Sequence, residues 1–183
     1  EYDGYIYWAT QSRLHRILVG ATIDTAAYWT SNAEEDWATF TNTDSEFHPM
    51  VKQNLQLWIG DGSDLASVDN DAVTHTFTAS RLDIVSPLRI KTLIDFDIDL
   101  LIGTYINNNV NKTFVYRWDT ESVSWLSSDP IEEVGVNAFI RDDNFVYAQC
   151  GISGRIYLYD GQNLVPFKRI PGDWSSTATA EVY

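Results

Sequence analysis

Acidic side chains at short spacing are the feature of this sequence with the clearest chemical potential. Asp61, Asp64 and Asp69, with Asp71 close by, surround an Asp-Gly-Ser-Asp turn. Calcium takes ~6–8 oxygen ligands, and a glycine such as Gly62 permits the sharp bend that folds neighbouring carboxylates toward one ion. These three aspartates are therefore the metal-ligand candidates and calcium the cofactor they would hold. The complete EF-hand order is missing, and Asp-Gly is also a common hairpin turn. A second group, Asp95, Asp97 and Asp99, alternates in Ile-Asp-Phe-Asp-Ile-Asp. On one continuous strand all three would share a face. A turn at Asp97-Ile98 would separate them, and it is favoured because residues 100–103 align with strands elsewhere in the chain.

Other chemistries find less support. His15, His48 and His75 lie in no His-x-x-x-His or His-Glu-x-x-His context. The single cysteine, Cys150, excludes an internal disulfide and a cysteine-based zinc site. There is no Gly-x-Ser-x-Gly elbow, and the glycines at Gly151 and Gly154 read as a hairpin turn rather than a phosphate loop. No catalytic residue is assigned. Asn111-Lys112-Thr113 is a glycosylation sequon, meaningful only in a eukaryotic secretory setting.

The 183 residues allow one ordinary domain with ample core. They carry 12 Lys+Arg against 26 Asp+Glu, a formal charge of −14. A surface of that sign repels phosphate, so nucleic acid is not expected as a partner. No apolar run is long enough for membrane insertion as a helix. Aromatic residues make up 14%, including seven Trp and ten Tyr. Such residues suit pleated, half-buried surfaces, so Trp8, Trp58, Trp118 and Trp125 are expected in an all-β core.

The elements that must position these residues are short strands. Runs at residues 5–10, 55–60, 100–103 and 145–151 are each followed by a turn and a second strand, at 13–19, 65–69, 113–119 and 155–160. Separations of 50 residues from Trp8 to Trp58, 43 from Gly60 to Gly103 and 48 from Gly103 to Gly151 mark a repeat. Trp8 and Trp58 read as equivalent positions. Asp69, Asp119 and Asp160 close three of the second strands, where an aspartate can bond to the backbone two residues on. Further strands follow at 73–77, 124–126 and 164–170, with residues 37–40 as the outer strand of the first unit. Residues 32–36 read as a loop or at most one helical turn. Pro49, Pro87, Pro130 and Pro171, spaced 38, 43 and 41 apart, read as linkers or strand starts. Strands at 88–93 and 134–140 follow two of them.

The unit is four antiparallel strands in roughly 38–50 residues, the pattern of a β-propeller blade. One such sheet cannot bury both faces alone, whereas sheets stacked around an axis bury them against each other. A β-sandwich of the same hairpins is the structural alternative. The expected fold is thus an all-β propeller of about four blades, with units at residues 1–46, 47–86, 87–130 and 131–172. Residues 173–183 either close the first blade or begin a further one. The start at Glu1 rather than Met and the missing innermost strand of the first unit favour a segment of a larger propeller.

Tyr7-Trp8-Ala9-Thr10, followed by Leu14-His15-Arg16-Ile17, loosely resembles the Tyr-Trp-Thr-Asp blades of receptor propellers. Leu57-Trp58-Ile59-Gly60-Asp61-Gly62 and the stretch from Ile152 to Gly161 resemble blades of uncharacterised propeller repeat proteins of bacteriophage virions and bacterial surfaces. That resemblance implies an extracellular or virion-surface setting and carries no active site. The expected function is a non-enzymatic binding or structural module with a protein or glycan partner, within a larger assembly. A secreted carbohydrate-active propeller enzyme is the alternative, and it needs two carboxylates about 5–10 Å apart in a funnel.

Overall fold

A computed structural model describes residues 1–42, 46–70, 75–106 and 112–170. Fifteen strands and one short helix are present among them. The first sheet has three strands, β1 (Tyr5–Ala9), β2 (Arg13–Leu18) and β3 (Ala33–Thr39), with helix α1 (Ala26–Asn32) between the last two. Three four-stranded sheets follow. The second holds β4 (Met50–Gln53), β5 (Gln56–Asp61), β6 (Asp64–Asp69) and β7 (Phe77–Asp83). The third holds β8 (Arg89–Phe96), β9 (Asp99–Tyr105), β10 (Thr113–Trp118) and β11 (Ser127–Ile131). The fourth holds β12 (Val136–Asp142), β13 (Phe145–Cys150), β14 (Arg155–Tyr159) and β15 (Leu164–Arg169). Within every sheet the strands are antiparallel and ordered as in the chain. The fold is a β-propeller of four blades in series.

Alternation along the strands explains the stacking. Successive residues point to opposite faces, and on both faces of the second and third sheets they are apolar. Leu57, Ile59, Ala66 and Val68 pack back onto Tyr2, Leu14 and Phe40 of the first blade. Their neighbours Trp58 and Leu65 pack forward onto Ile90, Leu100, Ile102, Tyr116 and Trp118 of the third. Leu101 and Val115 continue the series onto Val146, Ala148, Tyr157 and Tyr159 of the fourth. Three cores therefore lie between four sheets, and none of the three joins the fourth sheet to the first.

Two glycines set how closely the blades approach. A Cβ on Gly60 would lie 2.7 Å from Ile90 and 2.9 Å from Pro49, and one on Gly103 would lie 2.6 Å from Thr92 and 2.9 Å from Val136. Each faces the innermost strand of the next blade. Turns follow their chemistry too. Asp97 adopts a φ of 56° and splits β8 from β9, so Asp95, Asp97 and Asp99 do not share one strand. Asp119 and Asp160 accept backbone N–H bonds from residues two and three further on, at 2.7–3.0 Å. Asp119 is lowered first by the Ser122 hydroxyl and then by these backbone bonds, and Asp160 by its backbone bonds, because each favours the ionised form.

The structure departs from the sequence reading at five places. Residues 32–36 are not a loop: α1 ends at Asn32 and β3 begins at Ala33. Thr25 caps α1 by accepting the Tyr28 amide, and Asn32 Nδ2 bonds back to the Tyr28 carbonyl at 2.9 Å. A helix of seven residues is too short to show an apolar stripe. Trp8 is not equivalent to Trp58. The pair Ala9↔Leu14 occupies the place of Gly60↔Leu65 and Gly103↔Val115, so the repeat is shifted by one residue. A one-residue slip changes the face, and Trp8 stacks on His15 and meets Trp29 of α1, away from the second blade. The outer strand of the second sheet is Phe77–Asp83 and that of the third is Ser127–Ile131, both later than expected. Pro130 is then no linker but lies inside β11 opposite Phe114, where an outer edge tolerates the missing N–H. Leu55 sits with Asn54 in a left-handed turn, with φ of 59° and 48°, and not in β5. Val73 and Asn111 fall outside the described residues.

The contrast between the two tryptophans is testable. Trp8→Ala is expected to cost about 1 kcal/mol in urea unfolding, because the ring is only partly covered. A loss as large as that of a fully buried tryptophan would mean that the first blade is packed differently.

Candidate functional site

The blades are stitched at the end where their inner strands begin. The Gly60 amide donates to the Pro49 carbonyl at 2.9 Å, the Ile90 amide to Gly62 at 2.7 Å and the Gly151 amide to Gly135 at 2.8 Å. Of these, the Ile90–Gly62 bond crosses the seam between the second and third blades, while the other two extend the β4–β5 and β12–β13 ladders into the linkers. Two depressions open there and meet at Glu46. One, of about 550 Å³, is lined by Ala9, Gln11, Glu46 and His48. The other, of about 220 Å³, is lined by Glu46, Phe47, Lys91, Tyr105 and Asn137.

Each side chain in this groove is positioned near a strand terminus or on a linker. His48 stacks on Phe40 with ring centres 4.0 Å apart, and its two ring nitrogens lie 2.9 Å from the Gly60 carbonyl and 3.2 Å from that of Gln11. Lys91, on the inner strand β8, donates to Asn137 Oδ1 at 2.9 Å across the seam between the third and fourth blades. Asn137 Nδ2 in turn donates to the Gly151 carbonyl at 2.8 Å. The Lys91 ammonium lies 5.2 Å from the centre of the Phe47 ring, and Phe47 meets Tyr105 edge-on at 5.3 Å. Burial lowers the Lys91 amine from its ordinary value, and the nearby Glu46 charge opposes that shift. The groove thus offers a desolvated cation, a carboxylate, an amide and aromatic rings from three different blades. Sequence reasoning did not single out Glu46, Phe47, Lys91 or Asn137, because nothing in their spacing announces that the linkers converge.

The aspartates suggested as metal ligands are placed differently from one another. Asp61 and Asp64 face each other across the β5–β6 hairpin. Asp69 sits at the far end of β6 opposite Gln56, and accepts from the Ser67 hydroxyl at 3.1 Å. At about 3.4 Å of rise per residue, the five steps from Asp64 carry it about 17 Å away. Asp61 is fully buried. Its carboxylate accepts the Thr41 amide at 2.7 Å and the Asn42 amide at 3.2 Å, while Asn42 Nδ2 donates to the Asp61 carbonyl at 2.6 Å and to Asp64 Oδ2 at 3.0 Å. The pair clasps the linker that leads from the first blade to the second. Burial raises both carboxyls above their ordinary range, against the lowering effect of these hydrogen bonds. Among the described residues, no three His, Cys, Asp or Glu side chains are grouped so as to hold a metal ion. Asp71 lies outside those residues.

The other charged candidates are also tied into the frame. Asp99 pairs with Arg117 at 2.6 Å, Asp95 with Arg141 at 2.8 Å, and His75 with Asp3 at 3.4 Å. Burial pushes the Cys150 thiol up strongly, with a further push from Glu133. A thiol held in its neutral form is a poor nucleophile. No helix among the described residues is long and apolar enough to cross a membrane.

The sequence matches no protein-family model and no curated protein. Its fold is shared with solved structures. The computationally designed Ika8 protein superposes with a TM-score of 0.63 at 12% identity, over 94% of this chain and 49% of that one. A subtype N10 neuraminidase-like protein of A/little yellow-shouldered bat/Guatemala/060/2010 gives 0.50 at 14% identity, over 88% and 53%. A neuraminidase-like protein from A/bat/Guatemala/164/2009 gives 0.50 at 13% identity, over 84% and 43%. All are β-propellers, which fixes the fold class of this chain. The chain spans about half the length of these structures.

Proposed function

We propose that this chain is a non-enzymatic β-propeller module that binds a protein or glycan partner as a component of a virion or cell surface. The observation that carries the binding role is the groove at the blade seams, where Lys91 and Asn137 are fixed by each other and aromatic rings flank them. Rigid strands hold the polar groups at fixed spacing, which limits the ordering cost of binding. The setting rests on the resemblance of the Trp58 and Tyr159 blades to virion and bacterial-surface repeats. The buried acids favour binding over hydrolysis. Asp61, the most enclosed of them, is held by two backbone amides and points into the linker rather than a funnel.

A glycan array and a surface-display pull-down, both probed with the whole chain, test this reading. Lys91→Glu is expected to weaken the captured interaction at least tenfold while the circular dichroism spectrum stays unchanged. Binding that survives both Lys91→Glu and Asn137→Ala would move the site elsewhere. Turnover of a fluorogenic glycoside by the wild-type chain would restore the enzyme alternative.

A further inference from the structure

A tight turn leads out of the inner strand of each four-stranded blade, closing the pairs Gln53↔Gln56, Phe96↔Asp99 and Asp142↔Phe145. Tyr2↔Tyr5 is the matching pair in the first sheet, with Asp3 and Gly4 between them at φ of 45° and 77°. Beyond Tyr2, no described residue pairs with the inner edge of β1, whereas β4, β8 and β12 run on along β5, β9 and β13. That edge carries hydrogen-bonding groups. Tyr5 exchanges both backbone bonds with Tyr2, at 2.8 and 3.0 Å, while the Gly4 carbonyl and the Thr10 amide bond toward β2. Alternation along an antiparallel strand then turns the N–H and C=O groups of Tyr7 and Ala9 to the inner edge. In the second blade the place of Ala9 is held by Gly60, whose amide donates to Pro49 at 2.9 Å. The Tyr7 and Ala9 side chains face the seam with the second blade. Two depressions lie there. The larger, of about 550 Å³, reaches Ala9, Glu46, His48 and Met50, and a second, of about 230 Å³, reaches Tyr2, Tyr7, Met50 and Leu57.

We propose that the inner edge of β1 is a docking site for an extended strand of a protein partner, added antiparallel to β1. Continuity is the first reason, since three blades hold a strand in this place. Main-chain bonds to Tyr7 and Ala9 supply the affinity, and side chains two residues apart enter the two depressions, as in other strand additions. The partner residue opposite Tyr7 meets Tyr2, Met50 and Leu57 and is therefore apolar. The residue opposite Ala9 enters the larger depression beside Glu46 and His48. Charge is the second reason. An antiparallel partner starts at the Ala9 end, so Glu46, on a chain of net charge −14, favours basic residues at its start. The site is separate from Lys91 and Asn137 and does not rest on a ligand binding there.

A synthetic peptide copying residues 88–94, Leu-Arg-Ile-Lys-Thr-Leu-Ile, is a suitable probe. In the third blade its Thr92 and Ile94 stand opposite Gly103 and Leu101, the counterparts of Ala9 and Tyr7, and its first half is basic. Fluorescence anisotropy with the whole chain is expected to show saturable binding. The same peptide N-methylated at its final isoleucine cannot donate to the Tyr7 carbonyl and is expected to bind at least tenfold more weakly. Ala9→Pro, which removes the edge N–H, is expected to weaken the unmethylated peptide by a similar factor. Amide exchange gives the position. Added peptide should slow the Tyr7 and Ala9 amides at least tenfold and leave the Trp8 amide, already bonded to β2, unchanged. The inference is overturned by equal binding of the two peptides, by protection that spares Tyr7 and Ala9, or by no saturable binding of the unmethylated peptide. The N-methyl comparison and the exchange pattern both read β1 alone, so a failure of the groove at Lys91 to bind any ligand is seen separately.

Discussion

Trp58→Ala is expected to destabilise the protein by about 3–5 kcal/mol, the range for truncating a fully buried aromatic residue. Trp58 is 0% exposed and lies at the seam of the second and third blades. Its ring meets Trp118 at 5.0 Å and 79°, an edge-to-face arrangement. Such a pair contributes about 0.5–1.5 kcal/mol beyond the area it buries. The indole N–H also donates to the Gln53 carbonyl at 3.2 Å, and truncation leaves that acceptor without its donor. Urea unfolding of Trp58→Ala, Trp118→Ala and the double variant measures both quantities. The double variant should be less destabilised than the sum of the singles by the coupling energy. Strict additivity would mean that the rings do not touch and that the seam lies elsewhere.

Asp61→Ala is expected to cost about 2–4 kcal/mol, because two linker amides lose their buried hydrogen-bond acceptor. The cost falls on the joint between the first two blades, so local exchange there should rise with the global loss. Its pH dependence has a definite sign. Burial raises the Asp61 carboxyl above 3.8 in the folded chain, so the folded state binds this proton more tightly than the unfolded state. The contribution of Asp61 is then fully present below the ordinary carboxylate pKa and declines as pH rises through the raised one. The difference between wild type and Asp61→Ala should therefore be largest in acid and shrink as pH rises from about 4. Asp119 and Asp160 act in the opposite sense. Their lowered carboxyls add stability above the ordinary value, and this is lost as pH falls. A penalty for Asp61→Ala that grows with pH would show that the carboxylate is stabilised rather than strained by its surroundings.

The blade repeat was legible because its signals are local. Period-two alternation, glycines at Gly60 and Gly103 and aspartates at Asp119 and Asp160 each have a physical cause within a few residues of themselves. The turn at Asp97 was legible for the same reason. What escaped depends on contacts between distant segments. Trp8 and Trp58 look alike in sequence, yet only the pairing of Ala9 with Leu14 reveals the shifted register. Outer strands β7 and β11 face more solvent and carry weaker alternation, so their bounds were misplaced. Helix α1 depends on one cap and on Trp29 reaching Trp8, neither of which leaves a periodic trace. The groove was hardest to foresee. Lys91 and Asn137 are 46 residues apart and meet only because two blades stack. The acidic pair at Asp61 and Asp64 was legible as a close pair, but its partner Asn42 lies on the linker from the preceding blade.

A crystal structure of the whole chain tests the radial stacking most directly. It should show four successive antiparallel sheets arranged around an axis, with the Trp58 ring edge-on to Trp118 and Gly60 beneath Ile90. Two sheets layered face to face, with strands from residues 50–83 and 136–169 in the same sheet, would contradict it.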